Sequence, residues 1–135
     1  MLVADDSPEM LGLLSAWLED EGCVVIAVGS GREALDASVA YRPDVAFLDV
    51  VLPPPDGFQL CDILTRRAGP AVVLMTGVSN PDMRRVVEVG ALLLLQKPFP
   101  REAVVHALTM ALEHSDREGA TNGPDSDARL RLLRP

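Results

Sequence analysis

The sequence predicts an α/β domain in which one parallel sheet carries helices on both faces, and three observations lead to that expectation. Short apolar runs bounded by turn residues recur five times, at Leu2–Ala4, Cys23–Val28, Val45–Leu48, Ala71–Met75 and Leu92–Leu95. Runs that are apolar throughout, not alternating, fit strands buried on both faces. Between them lie stretches with helical spacing and helix-start signals, which makes a (βα)5 chain with right-handed crossovers and a doubly wound sheet. Finally, polar residues follow the strands: Asp5 and Asp6 after the first, Asp49 after the third, Thr76 after the fourth and Lys97 after the fifth. A parallel sheet has one carboxyl edge, so all five fall on the side where open α/β sheets bind ligands.

Each element has a local reason. Leu2–Ala4 is short for a strand, so an upstream residue is expected; Ser7-Pro8-Glu9 then supplies a capping hydroxyl, a proline at the first helical position and an acid in the first turn. Leu11, Leu14 and Leu18 form the apolar stripe of this helix, and Gly22 ends it. Ser30 and Glu33 have capping-box spacing and open a helix through Ala34, Leu35 and Ala37 to about Tyr41. A third helix is expected over 58–67, with Phe58, Leu60, Cys61 and Leu64 inward and Gly69-Pro70 as its breaker. Asn80-Pro81-Asp82 repeats the cap-proline-acid pattern and starts a short helix to about Val89, closed by Gly90. The last helix runs from Arg101 to about His114, with Val104, Val105, Leu108 and Leu112 on one side. From Ser115 the chain turns polar, with glycine and proline, before ending ARLRLLRP. The expected organisation is a domain over 1–114 and a disordered tail or linker over 115–135, its last eight residues a short helix only with a partner. No DNA-binding or catalytic output domain is expected to follow.

Composition narrows the function classes. At 135 residues and 48% hydrophobic content the chain fits one globular domain. No apolar run approaches the ~18 residues that span a bilayer. The start MLVADD lacks the basic region of a secretory signal, and Cys23 and Cys61 are too few for a disulfide framework or a metal site. A cytoplasmic, non-membrane protein is the expectation. Residues 1–114 hold 16 acidic against 8 basic side chains, which argues against direct contact with nucleic acid. Of the twelve basic residues only Lys97 is lysine, which puts a compact ammonium at a strand end in a chain that otherwise uses arginine.

Carboxylates gathered within a few ångströms disfavour one another's charge unless a cation sits among them. Oxygen ligands with open coordination positions suit Mg²⁺, which shares its sites readily with phosphate. The Thr76 hydroxyl and the Lys97 ammonium add a donor and a positive charge beside such an ion. Together these parts can hold a phosphoryl group in line with an attacking carboxylate, and Asp49 can be that nucleophile.

With these motifs in place, Asp5-Asp6, Asp49 followed by LPPPDG, Thr76-Gly77 and Lys97-Pro98-Phe99, the chain resembles the receiver domain of bacterial two-component response regulators over residues 1 to about 114. The resemblance implies a flavodoxin-like sheet of order 2-1-3-4-5. It implies a signalling switch and not an enzyme, in which Asp49 accepts a phosphoryl group from a sensor histidine kinase, a histidine phosphotransfer protein or a small phosphodonor. It also implies Mg²⁺ held by Asp6, Asp49 and the backbone carbonyl of Val51, with Asp5 acting through water. Thr76 and Lys97 would contact the phosphoryl oxygens, and the Lys97-Pro98 bond would be cis. The downstream partner is a protein of unknown identity, engaged through the fourth helix, fifth strand and fifth helix, where Arg84, Arg85, Leu93 and Leu94 lie; pairing of two copies is expected there. One departure concerns transmission: the family usually has an aromatic residue three positions before the lysine, where this chain has Leu94. Leu92 and Leu93 extend an apolar run on that edge strand, a partner surface by its character.

Rival readings meet specific objections. Gly29-Ser30-Gly31-Arg32-Glu33-Ala34 fits a dinucleotide fingerprint, yet it follows the second strand, an edge strand in this order and away from the switch point. A turn plus capping box explains it. His106 and His114 have no acid or cysteine cluster to make a metal site. An Mg²⁺-dependent aspartyl-nucleophile phosphatase would also use Asp49, but Val51 stands where its general acid belongs. A receiver-like binding module that is never phosphorylated is the other alternative.

Overall fold

The computed structural model describes residues 1–121, those from 116 onward by backbone alone. The final eight residues, for which a partner-dependent helix is expected, lie outside the described residues. Strands β1 (Leu2–Ala4), β2 (Ile26–Val28), β3 (Val45–Asp49), β4 (Ala71–Thr76) and β5 (Leu93–Gln96) alternate with helices α1 (Pro8–Asp20), α2 (Gly31–Tyr41), α3 (Gly57–Arg66), α4 (Met83–Glu88) and α5 (Arg101–Thr121). The strands form one parallel sheet in the expected flavodoxin-like order, β2-β1-β3-β4-β5.

The central strands are buried because both faces of the sheet are covered. On one face Leu2, Ala4, Leu48, Val72 and Leu74 meet Ala34 of α2, Phe58, Leu60, Cys61 and Leu64 of α3, and Val86 of α4. On the other, Val3, Val45, Phe47, Val73 and Met75 meet Leu14 and Leu18 of α1 and Val104, Ala107, Leu108 and Ala111 of α5. Each fully buried leucine or valine contributes roughly 1.5–3 kcal/mol. All five residues of β3 are buried, so Asp49 is carried into the interior by the strand that makes the core.

Several boundaries differ from expectation for identifiable reasons. The second strand begins at Ile26, not Cys23, because the Cys23 N–H is spent on Leu18 O at the end of α1. Helix α4 starts two residues late: the Asp82 carboxylate accepts from Arg85 N and caps it, in place of Asn80. The fifth strand is offset by one residue and includes Gln96. Helix α5 continues through Thr121, seven residues beyond His114, and its buried stripe uses Ala107 and Ala111, with Val105 and Leu112 only partly covered. Helix α3 is framed by a full capping box between Asp56 and Gln59, a pair that sequence reading missed.

Both cysteines are buried and unpaired. Burial, then the charge of Asp62, pushes the Cys61 thiol up to about 12. It donates to Val89 O at 3.3 Å, where the Thr65 hydroxyl also donates at 2.8 Å, tying α3 to the end of α4.

Glycine is required where α3 begins. A Cβ on Gly57 would lie 2.2 Å from the Asp49 carbonyl oxygen and 2.7 Å from Val50 Cα, both backbone atoms with no room to yield. Gly12, on the exposed face of α1, would meet nothing within 4 Å. Gly57→Ala should therefore lower stability by about 3 kcal/mol through overpacking. Gly12→Ala should raise it by about 0.5–1 kcal/mol through helix propensity. Urea midpoints of the two variants, moving in opposite directions, are the expected result.

Candidate functional site

The carboxyl edge of the sheet gathers the polar strand-end residues. Asp5 leaves β1 with its backbone N–H on Val28 O, and its fully buried carboxylate accepts from Ser7 N at 2.9 Å. Ser7 is also the N-cap of α1, so the start of that helix and the position of Asp5 are set together. Asp49 ends β3, 5% exposed, with Oδ1 accepting from Val51 N at 3.3 Å. Thr76 ends β4, buried, and its Oγ1 accepts from Val78 N at 3.1 Å. Lys97 follows β5 and is joined to Pro98 by a cis peptide; its N–H donates to Thr76 O at 2.7 Å.

Lys97 closes the arrangement. Its ammonium lies 2.8 Å from Asp5 Oδ2 and 3.3 Å from Asp49 Oδ2, the end of a contact 92 residues apart in the chain. Burial raises the Asp49 pKa above the ordinary carboxylate value, and the charge of Asp5 raises it further; Lys97 and the Val51 N–H only partly offset this. For Lys97, burial works against the charge, but the hydrogen bond to Asp5 and the charge of Asp49 outweigh it and leave the ammonium with a raised pKa. Asp6 completes the cluster from its exposed side: one carboxylate oxygen each from Asp5, Asp6 and Asp49 lie within 4.8 Å of one another. That all-oxygen set fits a hard divalent cation such as Mg²⁺.

The predicted switch residues are spread over different surroundings. Leu94 packs toward the face that holds α3 and α4, whereas Leu93 packs toward the face that holds α1 and α5. The Arg85 guanidinium sits 4.3 Å over the Phe58 ring, a cation–π contact to α3, and Arg84 is exposed. The Leu92–Leu95 run is half-buried. Sequence reasoning missed Gln96, whose amide donates to Val78 O at 2.9 Å; its place beside Lys97 at a strand end was the available signal. A separate hollow of about 700 Å³, lined by Ser38, Arg42, Leu64, Gly69 and Leu92 among others, contains none of the cluster acids.

The sequence profile of the response regulator receiver domain matches residues 1–109, four-fifths of the chain and every element of the site. The chain belongs to the receiver domain family. This receiver domain is similar to the DNA-binding response regulator MtrA of Mycolicibacterium smegmatis, 31% identical over 121 residues, covering 89% of this chain and 53% of that protein. It is also similar to the alkaline phosphatase synthesis transcriptional regulatory protein PhoP of Bacillus subtilis, 36% identical over 105 residues, covering 76% of this chain and 44% of that one. Among solved structures, chemotaxis protein CheY4 of Vibrio cholerae superposes with a TM-score of 0.76 at 29% identity, over 82% of this chain and 95% of that one. The chain spans about half the length of the curated relatives it matches. The acidic balance of residues 1–114 therefore carries no conclusion about nucleic acid for proteins of that length. No helix among the described residues is long and apolar enough to cross a membrane.

The raised pKa of Asp49 gives the metal-free receiver domain a defined pH response. The folded state holds the Asp49 proton more tightly than the unfolded state, whose value is about 4, so stability falls as pH rises from there through the folded pKa. Lys97 acts in the same direction at higher pH: its contribution is present below about 10.4 and is lost as pH rises through its higher folded value. In chelator-treated protein, Asp49→Asn should abolish the first decline, keep the alkaline one, and melt higher than wild type at neutral pH. Thermal melts from pH 4 to 11 measure both.

Proposed function

We propose that this receiver domain is a phosphoacceptor switch of a two-component or phosphorelay system, with Asp49 as the acceptor. The observation that carries the reading is the Lys97 ammonium held at 2.8 and 3.3 Å from the two buried carboxylates of an all-oxygen cation cluster. A cation that bridges acids in the resting state is positioned to meet new negative charge when a phosphoryl group arrives.

In the transfer, an Asp49 carboxylate oxygen bonds to phosphorus as the P–N bond of a phosphohistidine breaks, and the electron pair stays on the imidazole nitrogen. The phosphohistidine belongs to a sensor histidine kinase or a histidine phosphotransfer protein; an acyl phosphate reacts in the same way with loss of carboxylate. Lys97 moves its ammonium from the carboxylates to a phosphoryl oxygen. The Thr76 hydroxyl donates its hydrogen to another, since only its lone pair is engaged by Val78 N–H. Asp6, Asp49 and the Val51 carbonyl would hold Mg²⁺, with Asp5 through water; when bound, the ion supplies positive charge to the phosphoryl oxygens and relieves the crowding of acids. No general acid stands at Val51, which supports slow self-dephosphorylation in place of turnover on outside substrates.

The output is a change in protein contacts made in the cytoplasm through α4, β5 and α5, including Arg84, Arg85, Leu93 and Leu94, with a second copy or a downstream protein. In a longer regulator built like the MtrA relatives, residues 1–114 would act on the rest by contact without touching nucleic acid.

Incubation with acetyl phosphate and Mg²⁺ should add one phosphoryl group by intact mass, absent in Asp49→Asn and after chelation. A gain that persists in Asp49→Asn refutes the assignment. The exposed apolar side chains of Val51 and Val78, next to the site, hinder an attacking water. The phospho-protein should accordingly last for minutes or longer, and Val51→Asn should shorten that lifetime; loss of label from wild type within seconds contradicts this role.

A further inference from the structure

The loop from Gly77 to Asp82 connects the end of β4 to α4, and residue Val78 within it is gripped on both sides by side chains of adjacent strands. Its N–H donates to Thr76 Oγ1 at 3.1 Å, and its carbonyl accepts from Gln96 Nε2 at 2.9 Å. Thr76 and Gln96 are direct register partners of β4 and β5, and the next residue, Lys97, donates its N–H to Thr76 O at 2.7 Å. One loop residue is therefore tied to the site hydroxyl and, independently, to the residue preceding the site lysine.

The two ties differ in what holds them. Gln96 is exposed on the edge strand, whereas Thr76 is buried at the carboxyl end of β4. A threonine hydroxyl has one hydrogen to give, and turning it toward a phosphoryl oxygen also turns the lone pair that Val78 N–H uses. Val78 must then follow the hydroxyl or lose it. Following it stretches the bond from Gln96. Leu94, packed among the apolar residues of the α3 and α4 face, has no polar atom to contribute to this exchange.

We propose that Gln96 is a positioning residue that holds the β4–α4 loop in its unphosphorylated arrangement, opposing the movement of Val78 that Thr76 makes when it engages the phosphoryl group. This rests on the phosphoacceptor reading of Asp49. A bond made only in the resting arrangement biases the equilibrium toward that arrangement, and by linkage lowers the readiness of the site to accept phosphate. Its removal has the opposite effect.

Gln96→Met keeps the length of the side chain and removes the amide, and Gln96→Glu keeps the shape and replaces the donor with an acceptor that repels the Val78 carbonyl. Both should take phosphate from acetyl phosphate and Mg²⁺ faster than wild type, by roughly two- to tenfold, the range one exposed hydrogen bond allows. In the unphosphorylated variants, the Val78 carbonyl carbon and the amides of 77–82 should shift in NMR spectra toward their positions in phosphorylated wild type. Thr76→Ala, which removes the opposing tie, should leave those resonances unresponsive to phosphorylation. An unchanged rate in both Gln96 variants, or resonances that do not move toward the phosphorylated positions, overturns the role of Gln96 while leaving the acceptor intact. A wild-type protein that gains no phosphate overturns the phosphoacceptor reading and this proposal with it.

Discussion

The contact of Lys97 with Asp5 and Asp49 is the constraint on which the site depends. Asp5 and Asp49 are almost wholly withdrawn from water, and buried carboxylates this close destabilise one another unless a cation compensates them. The ammonium provides that compensation from 92 residues beyond Asp5 in the chain, and so joins β1, β3 and β5 into one electrostatic unit across a sheet whose hydrogen bonds already join them. Because the acids are buried by the same strands that form the core, site and fold share their stability. The raised pKa of Asp49 is the remaining imbalance, and a second cation is the chemistry that answers it.

Much around this unit serves to hold backbone in place. Ser7 caps α1 and donates its N–H to Asp5; Gly57 lets α3 approach the Asp49 carbonyl; the Gly31 N–H holds the proline loop by donating to Pro53 O. The helices on one face are tied to each other through Arg85 over Phe58 and through Cys61 and Thr65 at the Val89 carbonyl. Helix α4, six residues long with only Val86 buried, is thus fastened firmly at its end, while its preceding loop depends on Val78. The loop is the weaker end because its bonds go to side chains and not to a ladder of backbone groups.

The apolar runs located all five strands, since a strand buried on both faces has little freedom to be anything else. Leu14, Leu18, Ala34, Phe58, Leu60, Cys61 and Leu64 were legible as inward residues for the same reason. Element ends were less legible. Cys23 is apolar like a strand residue, yet its N–H belongs to the end of α1; α2 ends on Arg42 in the left-handed region without the glycine that marks such a stop. On α5, alanine carries too little apolar signal to show that Ala107 and Ala111 face the core.

The sequence by itself determined which residues reach the carboxyl edge, because strand order along the chain and a parallel sheet leave one edge for Asp5, Asp6, Asp49, Thr76 and Lys97. Tertiary structure alone decided how they are partnered. Lys97 bonds Asp5 and Asp49, Leu93 and Leu94 turn to opposite faces, and Gln96 reaches across to Val78. Periodicity and strand position belong to a segment, whereas distances of a few ångströms between residues up to 92 apart depend on how all the segments pack.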